Sequence, residues 1–106
     1  MDFPRYIGEY KGMGKIIRAS LKDKLMDEYR DRNLYLRVKS GDDVVTVYYK
    51  YMIKEGYDVS PLLNKLINKS VSFEGPAYLL APGVIYINSK PKLIKYDTGV
   101  CEEIND

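Results

Sequence analysis

Residues 33–52, NLYLRVKSGDDVVTVYYKYM, hold two β-rich runs, 33–39 and 44–52, on either side of Ser40-Gly41-Asp42-Asp43. Valine, leucine and tyrosine in short runs around a glycine-aspartate turn signal predict a β-hairpin. Whether Gly41-Asp42 alone or all four residues form the loop, antiparallel pairing joins residues whose numbers sum to 83, so the register is the same. On one face Leu34, Leu36 and Val38 meet Tyr49, Val47 and Val45, an apolar surface suited to a core. On the other, Asn33 meets Lys50, Tyr35 meets Tyr48, Arg37 meets Thr46 and Lys39 meets Val44. A slip of one residue would exchange the two sets, so this register carries both the core and any binding face.

Outward from the hairpin, residues 15–22 (KIIRASLK) alternate Ile17, Ala19 and Leu21 against Ile16, Arg18, Ser20 and Lys22, the two-residue period of a first strand. Gly8, Gly12 and Gly14 read as a loose lead-in. The local GMGK lacks the glycine spacing and the Ser or Thr of a phosphate-binding loop. Residues 23–32 mix charges without periodicity and read as a loop. Beyond the hairpin, Ser60-Pro61 is an N-cap and N1 signal, and Leu62, Leu63, Leu66 and Ile67 share a face of a short helix near 61–69. A fourth strand begins with SVSFE at 70–74, is interrupted or kinked at Gly75-Pro76, and resumes through Tyr78 and Leu80. Ala81-Pro82-Gly83 turns the chain into a fifth strand, VIYIN, with Ile85 and Ile87 on one side and Val84, Tyr86 and Asn88 on the other. Residues 91–96 (PKLIKY) continue that strand or add an edge.

A chain of 106 residues accommodates one domain, read here as a lead-in at 1–14, a folded body at 15–96 and an acidic tail at 97–106 that orders poorly. Residues 1–96 hold all 17 Lys and Arg against 11 of the 15 Asp and Glu, a net +6, and the tail contributes −4. A basic body suits a polyanion, with the tail as a competitor or a handle for a protein partner. There is no histidine, which removes the Ser-His-Asp and Cys-His systems and His-ligated zinc. The carboxylates lie in turns, loops and the tail with no separated pair for a cleft, so no enzyme, cofactor or metal site is expected, and Asp42-Asp43 reads as turn chemistry. The lone Cys101 points to a reducing compartment, and no apolar run approaches the ~20 residues of a membrane helix, so a soluble cytoplasmic protein is expected.

Five strands with one short helix between the third and fourth follow the order of the OB-fold, a mainly β five-stranded barrel that binds oligonucleotides or oligosaccharides on its strand 2–3 face. The stretch NKSVSFEGPAYLLAPGVIYINSKPKLIKY resembles strand four, the glycine-marked kink, the turn and strand five of archaeal single-stranded DNA-binding proteins and replication protein A domains. The resemblance covers roughly residues 14–96 and is one of layout. It implies non-catalytic binding of single-stranded DNA or RNA, with bases stacked on Tyr35 and Tyr48 and with Arg37, Lys39 and Lys50 along the backbone. Arg18, Tyr86 and the 23–32 loop would extend the path. Many members of that family use tryptophan or phenylalanine at the stacking positions, and this chain uses tyrosine.

Two other readings stand beside this one. A tyrosine pair flanked by Arg and Lys is also favourable cross-strand packing on any exposed sheet. The same face, or the tail, could instead contact protein within a replication, repair or RNA-processing complex. Tyr49 and Tyr51 read as core and end packing.

Overall fold

The computed structural model describes residues 4–23, 32–51, 58–94 and 101–104. Its elements are β1 (Arg5–Asp23), β2 (Arg32–Ser40), β3 (Asp43–Lys50), α1 (Ser60–Leu66), β4 (Ser70–Ala81), β5 (Val84–Asn88), β6 (Lys92–Ile94) and β7 (Cys101–Glu103). The described residues are mainly β with one short helix. Five strands close into a ring in the order β1-β2-β3-β5-β4-β1, with β3 and β5 parallel and the other pairs antiparallel.

The hairpin has the register that its residues demand. All eight pairs from Asn33↔Lys50 to Ser40↔Asp43 sum to 83, and Gly41-Asp42 is the two-residue loop, with positive φ at Gly41. Leu34, Leu36, Val38, Val45 and Val47 are all at most 1% exposed. They form the core with Ile16, Tyr49, Val71, Phe73 and Ile87, joined by Leu62 and Leu66 of the helix. Tyr51 packs against this cluster in edge-to-face contact with Tyr49.

β1 departs most from the sequence reading. Residues 5–14, expected as lead-in, are the first half of a 19-residue strand: Arg5 to Lys15 pairs with β4, and Lys15 to Asp23 pairs with β2. One strand thereby closes the ring on both sides. At the switch, the Ile16 N–H donates to the Lys69 carbonyl and the Ile16 carbonyl accepts from the Asn68 N–H, so the segment after α1 completes the bonding where β1 changes partner. Of the glycines that suggested a loop, Gly14 serves close packing, whereas Gly8 has open space and adopts a positive φ at a register shift. A Cβ on Gly14 would lie 2.3 Å from the Lys39 carbonyl oxygen, and one on Gly75 would lie 2.2 Å from that of Asn88. Only glycine admits backbones that near. Gly75-Pro76 accordingly sits within an unbroken β4, with Tyr10↔Gly75 and Glu9↔Pro76 in continuous register.

A second correction concerns face. The register shifts between Ile16 and Arg18, a β-bulge at Ile17. Ile16 is fully buried and Ile17 is 42% exposed, the reverse of simple alternation, while Ala19 and Leu21 still pack on the core. The extra residue lets apolar positions on both sides of it face inward and leaves Arg18 and Ser20 outward.

The helix begins one residue earlier than expected and is shorter. Ser60 is not its cap: the N-cap is Val59, and the Asp58 Oδ1 accepts the Ser60 N–H at 3.1 Å. Those hydrogen bonds hold the Asp58 carboxyl below its ordinary pKa. At the C-terminal end, residues 92–94 add an edge as β6, which pairs with β4 and β7. Within the expected disordered tail, Cys101–Glu103 is a strand and Ile104 is buried in the core. Of the expected loop at 23–32, Asp23 ends β1 and Arg32 begins β2, and 24–31 lie outside the described residues, as do 95–100.

Candidate nucleic-acid interface

Alternation along β2 and β3 turns Tyr35, Arg37, Thr46 and Tyr48 away from the core, and cross-strand pairing fixes their spacing. Tyr35 and Tyr48 face each other with ring centroids 5.9 Å apart and planes 20° from parallel. The parallel pairing of β3 with β5, Thr46↔Tyr86 and Tyr48↔Asn88, adds a third ring. Tyr86 meets Tyr35 at 6.3 Å and Tyr48 at 6.0 Å, both at steep angles. These distances lie within the range for favourable aromatic pairs. All three rings are half-buried, as is Thr46, where the register led to the expectation that Tyr35, Thr46 and Tyr48 are exposed.

On the opposite side of β2, Arg18↔Arg37 and Ser20↔Tyr35 are cross-strand pairs with β1. Arg18, Ser20, Tyr35, Arg37, Thr46 and Tyr86 line an open concavity of about 260 Å³ together with Val84. Its chemistry is two guanidiniums, two aliphatic hydroxyls and two phenols. Like charges directly opposite each other on a sheet are destabilising, so the Arg18–Arg37 pair opposes folding and suits a shared anion.

Arg37, Lys39 and Lys50 are exposed on this face. Lys39 sits at the turn end of the hairpin and Lys50 at the other, flanking the rings along the strands. Burial, followed by the neighbouring Tyr78 and Tyr35, pushes the Tyr48 phenol above its ordinary pKa. A neutral phenol can lie beside phosphate without repulsion. All seven residues expected in the site, Arg18, Tyr35, Arg37, Lys39, Tyr48, Lys50 and Tyr86, thus occupy the outward face of three adjoining strands and β5.

Ser20, Thr46 and Tyr78 were not singled out as site residues from the sequence. Ser20 becomes a neighbour only through β1–β2 pairing, and Tyr78 through Tyr78↔Tyr86 between β4 and β5. Among the described residues no three of His, Cys, Asp and Glu converge on a point that could hold a metal ion. No helix among them is long and apolar enough to cross a membrane. No family model, curated protein or solved structure matches the chain.

Proposed function

We propose that this protein is an OB-fold module that binds single-stranded nucleic acid, DNA in first place and RNA as the alternative, without catalysis. The observation that carries the reading is the three-tyrosine cluster beside the Arg18–Arg37 pair on one outward face. The ring order, with β3 and β5 parallel and the helix between β3 and β4, supports the OB-fold assignment. The rings offer planar surfaces on which any base can stack, at about 1–3 kcal/mol per base. The guanidiniums and lysines neutralise phosphates and release counterions, a contribution that weakens with salt. Duplex DNA keeps its bases paired and stacked internally, so it would engage only the charges.

Anisotropy titration with labelled single-stranded and duplex oligonucleotides, at low and high salt, tests this. Single strands should bind more tightly at both salts. Tyr48→Ala should lower affinity by about 1–3 kcal/mol while leaving the salt slope unchanged, and Arg37→Ala should lower both affinity and slope, by about 0.7 in slope per phosphate contact. Equal affinity for duplex, or no binding at low salt, would overturn the reading and leave the face as a protein contact.

A further inference from the structure

Every strand of the closed ring carries a tyrosine on its outer surface at nearly the same level. From β2 the series runs Tyr35, Tyr48 on β3, Tyr86 on β5, Tyr78 on β4 and Tyr6 at the start of β1. Each step is a register pair or a ring contact. Tyr35↔Tyr48 are register partners and stack. Tyr48 and Tyr86 touch at 6.0 Å, and Tyr86↔Tyr78 are register partners. Tyr78↔Tyr6 are register partners with ring centroids 5.6 Å apart.

Tyr6 reaches this position through a second bulge, between Tyr6 and Gly8. The ring is the most open of the five, 55% exposed, and its hydroxyl donates to Glu9 Oε1 at 3.2 Å. None of the five rings belongs to the buried core cluster. The core is complete on the inner side of the same strands, and a large, open aromatic at the end of the series gains little from burial. Five rings in sequence across five strands form a track.

We infer that single-stranded nucleic acid bound on the β2–β3 face continues across β5 and β4 to Tyr6, so that the ligand runs around the ring, perpendicular to the strands, on a belt of five tyrosines. This rests on the function proposed above and extends it to the path and length of the bound strand. Four interstrand steps of about 4.8 Å span about 19 Å, which holds about six nucleotides at 3.4 Å each and fewer when the strand is stretched. The two halves of the belt differ in chemistry. Beside Tyr35 and Tyr48 lie Arg18, Arg37, Lys39 and Lys50, whereas the outward neighbours beyond Tyr86 are Pro76, Leu80, Val84 and Asn88, with Arg5 next to Tyr6. Glu9, opposite Pro76 and hydrogen-bonded to Tyr6, carries a negative charge beside the positive Arg5. The first half therefore grips phosphate, and the second half, with no net positive charge, holds bases.

The test is a length series of oligothymidylates, from about 4 to 16 nucleotides, titrated against the full chain and single variants at two salt concentrations. Affinity should rise with length until the belt is filled, and the increment added by length should depend on salt less than the affinity of the shortest oligomer does. Tyr6→Ala and Tyr78→Ala should bind the shortest oligomer like the parent and the longer ones about 5- to 150-fold more weakly, the effect of one lost stacked base. Tyr78→Phe should restore the long-oligomer affinity, and a thermal melt of Tyr6→Ala should match the parent.

The chain has eleven tyrosines and no tryptophan, so its ultraviolet emission reports stacking directly. Tyr6→Phe should remove part of the quenching produced by long oligomers and none of that produced by the shortest. If Tyr6→Ala and Tyr78→Ala bind every length like the parent while Tyr48→Ala weakens all of them, the belt is wrong and single-strand binding on β2–β3 stands. If the parent protein binds no oligothymidylate, both readings fall.

Discussion

The two faces of the β2–β3 hairpin share one backbone and one register, yet they are built to different requirements. The inner face consists of Leu34, Leu36, Val38, Val45 and Val47, with Tyr49 at its end, all fully or nearly fully buried. Every one of these side chains fills the closed ring, and the chemistry has little latitude beyond volume and apolarity. The outer face carries Tyr35, Arg37, Lys39, Thr46, Tyr48 and Lys50, and nothing in the core depends on them. There the residues gather three rings, which favour one another, around two adjacent guanidiniums, whose like charges do not. The Arg18–Arg37 pair, which opposes the fold, is the part of this face that the proposed ligand would explain.

This contrast can be broken most forcefully from the inner side. Leu36→Ala should cost about 2–5 kcal/mol of stability, as truncation of a fully buried leucine does, and Ile104→Ala should fall in the same range if the C-terminal segment belongs to the core as its burial indicates. Urea midpoints measure both, and a loss under 1 kcal/mol for Ile104→Ala would return that segment to the status of a frayed end. Gly14→Ala should follow, at about 1–3 kcal/mol, because the added methyl meets the Lys39 backbone, which cannot rotate away, as well as Val38 Cγ1.

On the outer side the expected stability effects shrink and the binding effects take over. Tyr35→Ala should change stability by no more than about 1 kcal/mol, the scale of a cross-strand pair. Arg37→Gln should hold or raise the melting temperature, since it relieves the repulsion with Arg18, while weakening single-strand binding. A marked fall in melting temperature for Arg37→Gln would show that the guanidinium is structural and would dissolve the contrast between the faces.

The acidic end calls for a gentler probe. Deleting residues 97–106 raises the formal charge from +2 to +6 but also removes β7 and the buried Ile104, so truncation mixes charge with folding. Glu102→Gln combined with Glu103→Gln leaves the chain length intact. If these acids compete with the ligand, the double variant should bind single strands more tightly at low salt and identically at high salt.

The smallest effect belongs to Asp58, whose carboxyl is held below its ordinary pKa by accepting the Ser60 N–H. A depressed folded-state pKa contributes stability above the unfolded value, near 3.8, and that stability is lost as pH falls through the folded value. Asp58→Ala should therefore lose stability at neutral pH and show a shallower decline in acid than the parent. Identical acid profiles would show that the Asp58–Ser60 hydrogen bond contributes nothing to stability.

The legibility of this protein follows the range of the interactions involved. The hairpin could be read from residues 33–52 because a two-residue turn sets the pairing and the alternation of apolar and polar side chains admits one register. The outward placement of Tyr86 and the apolar face of α1 were likewise local, resting on periods of two and of about 3.6. The strand at residues 5–14 was hidden because its glycines suit a loop as well as a strand with a bulge at Gly8 and a close backbone approach at Gly14, and only the partner strands distinguish the two. Ile17 was misassigned because a bulge leaves no mark in a sequence with two adjacent isoleucines; the pairing with β2 decides which one turns inward. The same holds for the site. Sequence by itself determined that Tyr35, Arg37 and Tyr48 share a face, since they belong to one hairpin. That Arg18 stands opposite Arg37, and that Tyr78 and Tyr6 continue the line of rings, was decided by closure of the ring, which joins residues tens of positions apart through backbone hydrogen bonds that no local pattern encodes.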